Sequence, residues 1–440
     1  METDSERSAE LKETSTIKDG GPEQAKVPEE GLKAWLCVFG GFFCQFCSFG
    51  FLNACGIFQL YYEEHTLSNY AQSTISWVIT VQIFLMFSLG LINGVLVDIV
   101  GPRKVLLPAS FFALLGIFML SLSTEFWHIM LTQGIVYGLG ASGLFLPPMI
   151  CVGRWFTKRR GLATGIVASG SSVGSWLDPI LNTSGVIFPI MVSRLIEQVG
   201  FPSALRYVGL LMAICLIIAN LCVSSPFPPE GRAKRKSAGI EAFKDTPFLL
   251  FCAGCFFMLW GLFAPFNYLP TMGVSTGMSQ NMAVYTISII NAASVFGRIL
   301  PGFVADRIGH LNVMVFIAFL SGLSILVYWL PVTFYPSTGA IIGFAVLYGL
   351  ASGGFVSLMT PCVVVLCDGK VEELGPKLGA FMFIIAIAAL TGLPMLGAIA
   401  DSASIGYKGL VAFAGAVMTF GGVLVTLTRM KKGGLRMAKV

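Results

Sequence analysis

The chain has 440 residues, of which 55% are hydrophobic and 12% are charged, with a mean hydropathy of +0.80 and a net charge of +5. Soluble domains carry roughly 25% charged residues, so this composition excludes an ordinary soluble enzyme and predicts a polytopic membrane protein. The positive charge does not indicate nucleic-acid binding, because the basic residues cluster beside apolar segments and not on one soluble face.

The chain opens with a polar segment. Residues 1–33 contain nine acidic and five basic residues and no apolar core. This composition predicts a disordered tail that faces the cytoplasm, and no cleavable signal segment is readable in it.

Twelve apolar segments follow, each about 20 residues long and so able to cross a hydrocarbon core of ~30 Å. They predict transmembrane helices near residues 34–59, 75–97, 104–123, 127–150, 161–196, 203–223, 247–269, 283–304, 311–330, 338–363, 377–400 and 408–428. The expected fold class is therefore an all-α membrane protein.

The distribution of basic residues predicts the orientation of these helices. With the N-terminus inside, the cytoplasmic loops and C-terminal tail hold 19 Lys or Arg residues, whereas the outer loops hold three. Such an excess marks the cytoplasmic side. The Pro-rich, basic segment 224–245 is predicted to link six-helix bundles at 34–223 and 246–428, and residues 429–440 form a short cytoplasmic tail.

One pattern occurs twice, 208 residues apart, at the cytoplasmic ends of spans 2 and 8. In each copy a Gly is followed four residues later by an Asp, so that the two lie one helical turn apart on one face. The small residue permits close helix contact, and the Asp can accept hydrogen bonds from basic side chains or from the start of an adjacent helix. We predict a role in conformational gating for Gly94, Asp98, Gly101, Arg103, Gly302, Asp306 and Arg307.

A second repeat supports two related halves. Residues 137–143 (YGLGASG) and 348–354 (YGLASGG) are both rich in small residues that let helices cross closely. Together with the repeated Gly and Asp pattern, which resembles the loop motif of the major facilitator superfamily, this implies twelve helices in two pseudo-symmetric bundles. The resemblance further implies a rocking transporter whose binding site lies between the halves.

A narrower resemblance comes from residues 154–165 (RWFTKRRGLATG), which are similar to the helix 5 signature of the monocarboxylate transporter family. The entry to span 1 keeps Gly31 and Trp35 of that family's other signature, in the form seen in its fungal branch. The resemblance implies a secondary transporter that moves a small organic acid or acidic metabolite.

The same family implies where the substrate binds. Its Arg in span 8 is here Arg298, but its Asp is replaced by Ser294, and a Lys of the animal lactate carriers by Asn53. Both differences argue against proton-coupled lactate transport. Arg298 is the only basic residue well inside a span, and its guanidinium suits a carboxylate; alternatively, it joins Asp306 in a cytoplasmic charge network. Weaker cavity candidates are Asn53, Asn291, Ser294, Phe355 and Ser357.

The run from 161 to 196 is too long for one span, since it would measure about 54 Å as a helix. Removal of residues 175–185, which read as a polar turn, leaves a normal span. Two hypotheses follow, a re-entrant elbow that lines the cavity or retained non-coding sequence, and we favour the second.

The predicted function is alternating-access transport of a small organic acid or acidic metabolite, including export of a fungal secondary metabolite. Alternatives are a carrier for uptake of a monocarboxylate or vitamin, and a non-transporting nutrient sensor on the same fold. No enzymatic activity, cofactor, metal site or nucleic-acid partner is predicted. We expect a monomer in the lipid bilayer of the plasma membrane, or alternatively of the vacuole or another internal membrane.

Overall fold

The computed structural model describes residues 31–53, 58, 61–70, 72–173, 195–228, 244–368, 371–400 and 406–434. The predicted insertion at 175–185 and the N-terminal tail up to residue 30 lie outside these ranges, and so does most of the predicted linker.

Twelve long helices are seen within the described residues. Their bounds are α1 Leu32–Gly50, α2 Thr74–Val100, α3 Pro102–Leu120, α4 Phe126–Trp155, α5 Arg160–Val173, α6 Phe201–Cys222, α7 Thr246–Ser275, α8 Gln280–Ile308, α9 His310–Val332, α10 Thr338–Val365, α11 Val371–Ala400 and α12 Gly406–Gly433. Eleven of them are long and apolar enough to cross a membrane, and the described part of α5 has 14 residues. The predicted all-α membrane fold is confirmed.

Several helices run further at the cytoplasmic side than the predicted spans. Helix α8 continues to Ile308, and α11 begins at Val371, because hydropathy marks only the lipid-facing length of a helix. Gly101, with a φ of 86°, separates α2 from α3. Gly309, with a φ of 104°, separates α8 from α9. Side chains rarely tolerate this left-handed backbone, so glycine is required at both turns.

The helices pack as two groups of six that meet along two seams. In the first group α3 lies against α4, and in the second α8 lies against α10 and α7 against α12. Between the groups, α5 packs on α8 and α2 packs on α11. The motif copies that the sequence analysis singled out lie on α2 and α8, one at each seam.

Four of the described helices contain an irregular stretch. Helix α1 ends in a π-helical turn at Phe46–Gly50, and α7 consists of two segments, Thr246–Leu262 and Ala264–Ser275. Helices α4 and α9 contain π-helical stretches at Met130–Tyr137 and Ser324–Trp329. Pro265 follows the junction in α7 and lacks the N–H that would continue the hydrogen-bond ladder.

Candidate functional site

Helices α5 and α8 cross with their backbones in contact. A Cβ on Gly161 would overlap the carbonyl oxygen of Gly302, and a Cβ on Gly165 would overlap that of Arg298. Glycine at these places lets the helices approach until polar groups of one reach the other. The small residues of the helix 5 signature therefore form the seam between the halves.

Arg298 lies on α8 at this seam and is only 4% exposed. Its Nη1 donates to the carbonyl oxygen of Ala168 on α5 at 2.8 Å and also to Ser171 Oγ. Among the described residues, no carboxylate pairs with the guanidinium, and its buried Nε has no hydrogen-bond partner. Its hydrogen bonds lead to α5, away from the cytoplasmic charge network around Asp306 that was the alternative from sequence.

Two other candidates join Arg298 in one polar cluster. Asn53, just beyond α1, donates through Nδ2 to the carbonyl oxygen of Ser171 at 3.0 Å. Ser294 Oγ lies 2.9 Å from Ser172 Oγ and also donates to the carbonyl oxygen of Asn291 at 2.7 Å. Helices from both halves thus meet at this cluster, around the buried cation.

The remaining candidates have no described side-chain contact with Arg298. Asn291 and Phe355 are buried, and Ser357 Oγ donates to the carbonyl oxygen of Gly354 in its own helix at 3.2 Å. Helix α10 reaches the cluster through backbone contact, since a Cβ on Gly353 would collide with the backbone of Ser294. The described hydrogen bonds of Phe355 and Ser357 do not tie them to Arg298.

The second motif copy caps the start of α5. Asp306 accepts hydrogen bonds from the backbone N–H groups of Gly161 at 2.7 Å and Leu162 at 2.9 Å. The N-terminus of a helix carries partial positive charge, so a carboxylate is stabilised there. His310 Nε2 lies 3.2 Å from the same carboxylate. The end of α8 in one half is thereby fixed to the start of α5 in the other.

The first motif copy pairs its acid with a basic side chain. Asp98 accepts from Arg154 at the end of α4, with both side chains largely buried. Gly94 and Asp98 also face α11, because a Cβ on Gly375 would collide with Asp98 Oδ2 and the carbonyl oxygen of Gly94. This copy holds α2 against α11, as the second holds α8 against α5.

The sequence predicted the kinds of group that the two acids contact, a basic side chain or the start of an adjacent helix, but not that Arg154 pairs with Asp98. Arg103, one of the predicted gating residues, is exposed, with its Nη2 3.5 Å from the carbonyl oxygen of Leu221. Arg307 is also exposed and lies 4.4 Å over the Phe303 ring. Arg154 is the first residue of the helix 5 signature, and this position was the sequence feature that could have indicated its pairing with Asp98.

These contacts join the two halves at the ends of α2 and α8. Both Asp residues and both pairs of close glycines lie at helix ends that the basic residues mark as cytoplasmic. The Arg298 cluster lies deeper in the membrane along the α5 and α8 seam. A polar site above a closed cytoplasmic contact is the geometry that alternating access requires.

Comparison with known proteins identifies the family. The sequence model of the Major Facilitator Superfamily matches residues 37–375. The MFS-type transporter hasB of Aspergillus fumigatus is 48% identical over 431 residues, which cover 95% of this chain and 94% of the relative. The Agnestins efflux protein AgnL12 of Paecilomyces divaricatus is 40% identical, with 92% and 89% covered. The Fujikurins efflux protein of Gibberella fujikuroi is 38% identical, with 94% and 84% covered.

Solved structures show the same fold at low identity. The proton:xylose symporter XylE superposes with a TM-score of 0.69 at 12% identity, over 91% of this chain and 95% of the symporter. A bacterial homologue of the iron transporter ferroportin, in an outward-facing state, gives a TM-score of 0.66 at 12% identity, over 90% and 99%. From its sequence relatives and its helical architecture, the chain belongs to the major facilitator superfamily and is a transporter, not an enzyme.

Proposed function

We propose that this transporter exports an acidic organic metabolite from the cytoplasm and that Arg298 binds the anionic group of the substrate. The observation that carries the proposal is the buried guanidinium of Arg298, which no carboxylate of the described residues neutralises. A buried charge without a counter-ion is costly. A substrate carboxylate or enolate would supply the missing charge in the bidentate geometry that Arg favours.

The hydrogen bonds of Arg298 suggest how the site is emptied and filled. In this structure Nη1 is held by Ala168 and Ser171 of α5. Because α5 and α8 belong to different halves, separation of the halves would release the guanidinium to a substrate. Asn53 and Ser294 then lie within the same cluster as neutral hydrogen-bonding groups, and Asn291, Phe355 and Ser357 remain candidates for the cavity wall.

The gating role of the two motif copies is part of this proposal. Asp98 and Asp306 each hold a helix of one half against the other at the cytoplasmic side. Their contacts would have to break for the site to open inward and accept a cytoplasmic substrate. Gly94 and Gly302 permit the close approach, and Gly101 permits the turn after Asp98.

The direction of transport and the substrate class rest on different support. Two of the relatives are named as efflux proteins for agnestins and fujikurins, which favours export of a metabolite over uptake of a nutrient. The resemblance of residues 154–165 to the monocarboxylate transporter signature favours an acid. Export from the cell places the protein in the plasma membrane.

The test is transport by membrane vesicles of both orientations from cells that express the chain, supplied with labelled acidic polyketides, monocarboxylates and uncharged analogues. We expect saturable movement of an acidic compound from the cytoplasmic to the outer face. Arg298→Gln removes the guanidinium and should abolish this transport. Arg298→Lys keeps the positive charge but loses the bidentate pair of N–H donors, so it should retain a weaker transport activity.

The matched control is Arg206→Gln, because Arg206 lies at the outer end of α6 with its Nε 3.5 Å from Ser121 Oγ. This variant should transport like the parent. Net movement toward the cytoplasm would favour the uptake carrier instead. Equal transport by Arg298→Gln at equal surface abundance would remove Arg298 from the binding site.

A further inference from the structure

The irregular turn in α1 is contacted by a tyrosine from α4. Tyr137 donates its hydroxyl proton to the carbonyl oxygen of Cys47 at 2.5 Å, inside the π-helical turn Phe46–Gly50. The Tyr137 ring also packs on Phe51, with 4.5 Å between ring centroids. Tyr137 therefore holds α1 at two points, one within the irregular turn and one just after it.

The break in α7 has the same arrangement. Tyr348 of α10 donates to the carbonyl oxygen of Leu262 at 2.7 Å, and Leu262 is the last residue of the inner α7 segment. The Tyr348 ring packs on Phe266, with 6.2 Å between centroids. Both tyrosines are fully buried.

The two contacts are copies of each other. In each half the tyrosine donates to a carbonyl oxygen at the irregularity, and its ring contacts the phenylalanine four residues further along the chain. Each tyrosine also begins one of the repeated small-residue segments, at 137–143 and at 348–354. The repetition of hydroxyl, carbonyl and ring in both halves distinguishes this arrangement from incidental core packing.

We propose that Tyr137 and Tyr348 are paired positioning residues that fix the direction of residues 51–53 after the α1 turn and of the outer α7 segment, and so hold the transporter in its cytoplasm-closed state. A π-helical turn and a proline junction are the usual points at which a helix bends. In each half the tyrosine hydroxyl bonds the carbonyl at the bend, and the tyrosine ring contacts the phenylalanine after it. These two contacts together restrain the angle of the bend.

The chain that follows each of the two contacts has a separate task. The chain after the α1 turn leads to Asn53, which bonds Ser171 in the Arg298 cluster. The outer α7 segment packs on α8, α10 and α12 of its own half. Its residues Asn267 and Thr271, four positions apart, are exposed and polar. Closure of the outer side requires these segments to move, whereas cytoplasmic closure is already present in this structure.

The test uses a reporter that does not depend on the identity of the substrate. Thr271→Cys places a thiol on the outer α7 segment, and its labelling by a membrane-impermeant maleimide from the outside is timed in whole cells. The parent without this cysteine supplies the background. Tyr137→Phe and Tyr348→Phe are added separately, since each keeps the ring and removes only the hydroxyl.

We expect both variants to slow the labelling of the Thr271→Cys thiol by about two- to tenfold, the range that corresponds to loss of one buried hydrogen bond. The decisive variant is Tyr137→Phe. Tyr137 lies in the other half and contacts α1, so the loss of its hydroxyl can change the labelling rate at position 271 only by shifting the conformational equilibrium of the whole transporter. The control Ser110→Ala removes a different buried hydroxyl, which accepts from Asn220 of α6 at 2.8 Å, and should leave the rate unchanged.

The labelling rate is compared among cells with equal amounts of transporter at the surface. An unchanged rate in Tyr137→Phe would overturn the proposal, even if Tyr348→Phe alone were slower, because that result would indicate only local packing beside the reporter. Failure of the Arg298 proposal would not alter this measurement, since no substrate is present.

Discussion

Arg298 on α8 donates through Nη1 to the carbonyl oxygen of Ala168 on α5, across 2.8 Å and across the seam between the two halves. Among the described residues, the partners of the buried cation are neutral oxygens of the opposite half, and its Nε has no hydrogen-bond partner. A carboxylate that entered the seam would therefore compete with α5 for the N–H donors of Arg298. Substrate binding would then favour separation of the two halves.

This relationship predicts the effect of an acid placed beside Arg298. Ser294 lies four residues earlier on α8 and faces the same cluster. In Ser294→Asp the new carboxylate can pair with Arg298 along the helix, so an anionic substrate must compete with it. We expect the KM for the acidic substrate to rise about tenfold or more, since charge-assisted hydrogen bonds contribute about 1.5–3 kcal/mol each.

Ser294→Asn is the control for this change. It introduces nearly the same shape without a charge and loses the same hydroxyl contact to Ser172 Oγ. KM values from initial rates in vesicles should therefore rise much less in Ser294→Asn than in Ser294→Asp. Equal KM values in the two variants would show that charge at this position does not affect substrate binding.

Much of the fold could be predicted from sequence because a membrane imposes simple requirements. Apolar runs of about 20 residues were sufficient to predict the eleven spanning helices found in the described residues. The ends of α8 and α11 could not be predicted, because these helices continue into water, where hydropathy no longer marks them.

Of the proposed site, the sequence singles out one residue, because a buried charge is costly in lipid. Arg298 stood out because a basic residue inside a span is rare. Its partners are the backbone carbonyl of Ala168 and the hydroxyl of Ser171. Such groups occur throughout the chain, so a single sequence does not reveal which of them contact Arg298. The pairing of Asp98 with Arg154 likewise depends on how α2 packs against α4, which local spacing does not reveal.

The Asp98 and Arg154 pair predicts a stability difference between single and double variants. Both side chains are largely buried, so Arg154→Gln removes the ion pair of the Asp98 carboxylate. Truncation of one member of a buried pair costs about 3–5 kcal/mol, and we expect a loss toward the lower value because both groups lie near the cytoplasmic interface. The thermal unfolding midpoint of the purified transporter in detergent should fall accordingly.

The double variant Asp98→Asn with Arg154→Gln completes the cycle. It removes both charges together, so part of the stability lost in Arg154→Gln should return. If the double variant were as unstable as the sum of the two singles, the two charges would be energetically independent despite their contact.

The last prediction concerns the glycine contact at the cytoplasmic seam. A Cβ on Gly302 would lie 2.7 Å from the carbonyl carbon of Gly161, so Gly302→Ala must push α8 away from α5. Overpacking of this kind costs about 1–3 kcal/mol, and here it acts on a contact between the halves, so the cost falls mainly on the cytoplasm-closed state. We expect the transport rate to fall about tenfold while the amount of folded protein in the membrane stays near that of the parent. Gly339→Ala is the matched control, because its Cβ would meet nothing within 4 Å; a similar loss of transport in both variants would mean that the close approach of Gly302 to Gly161 is not required for the cycle.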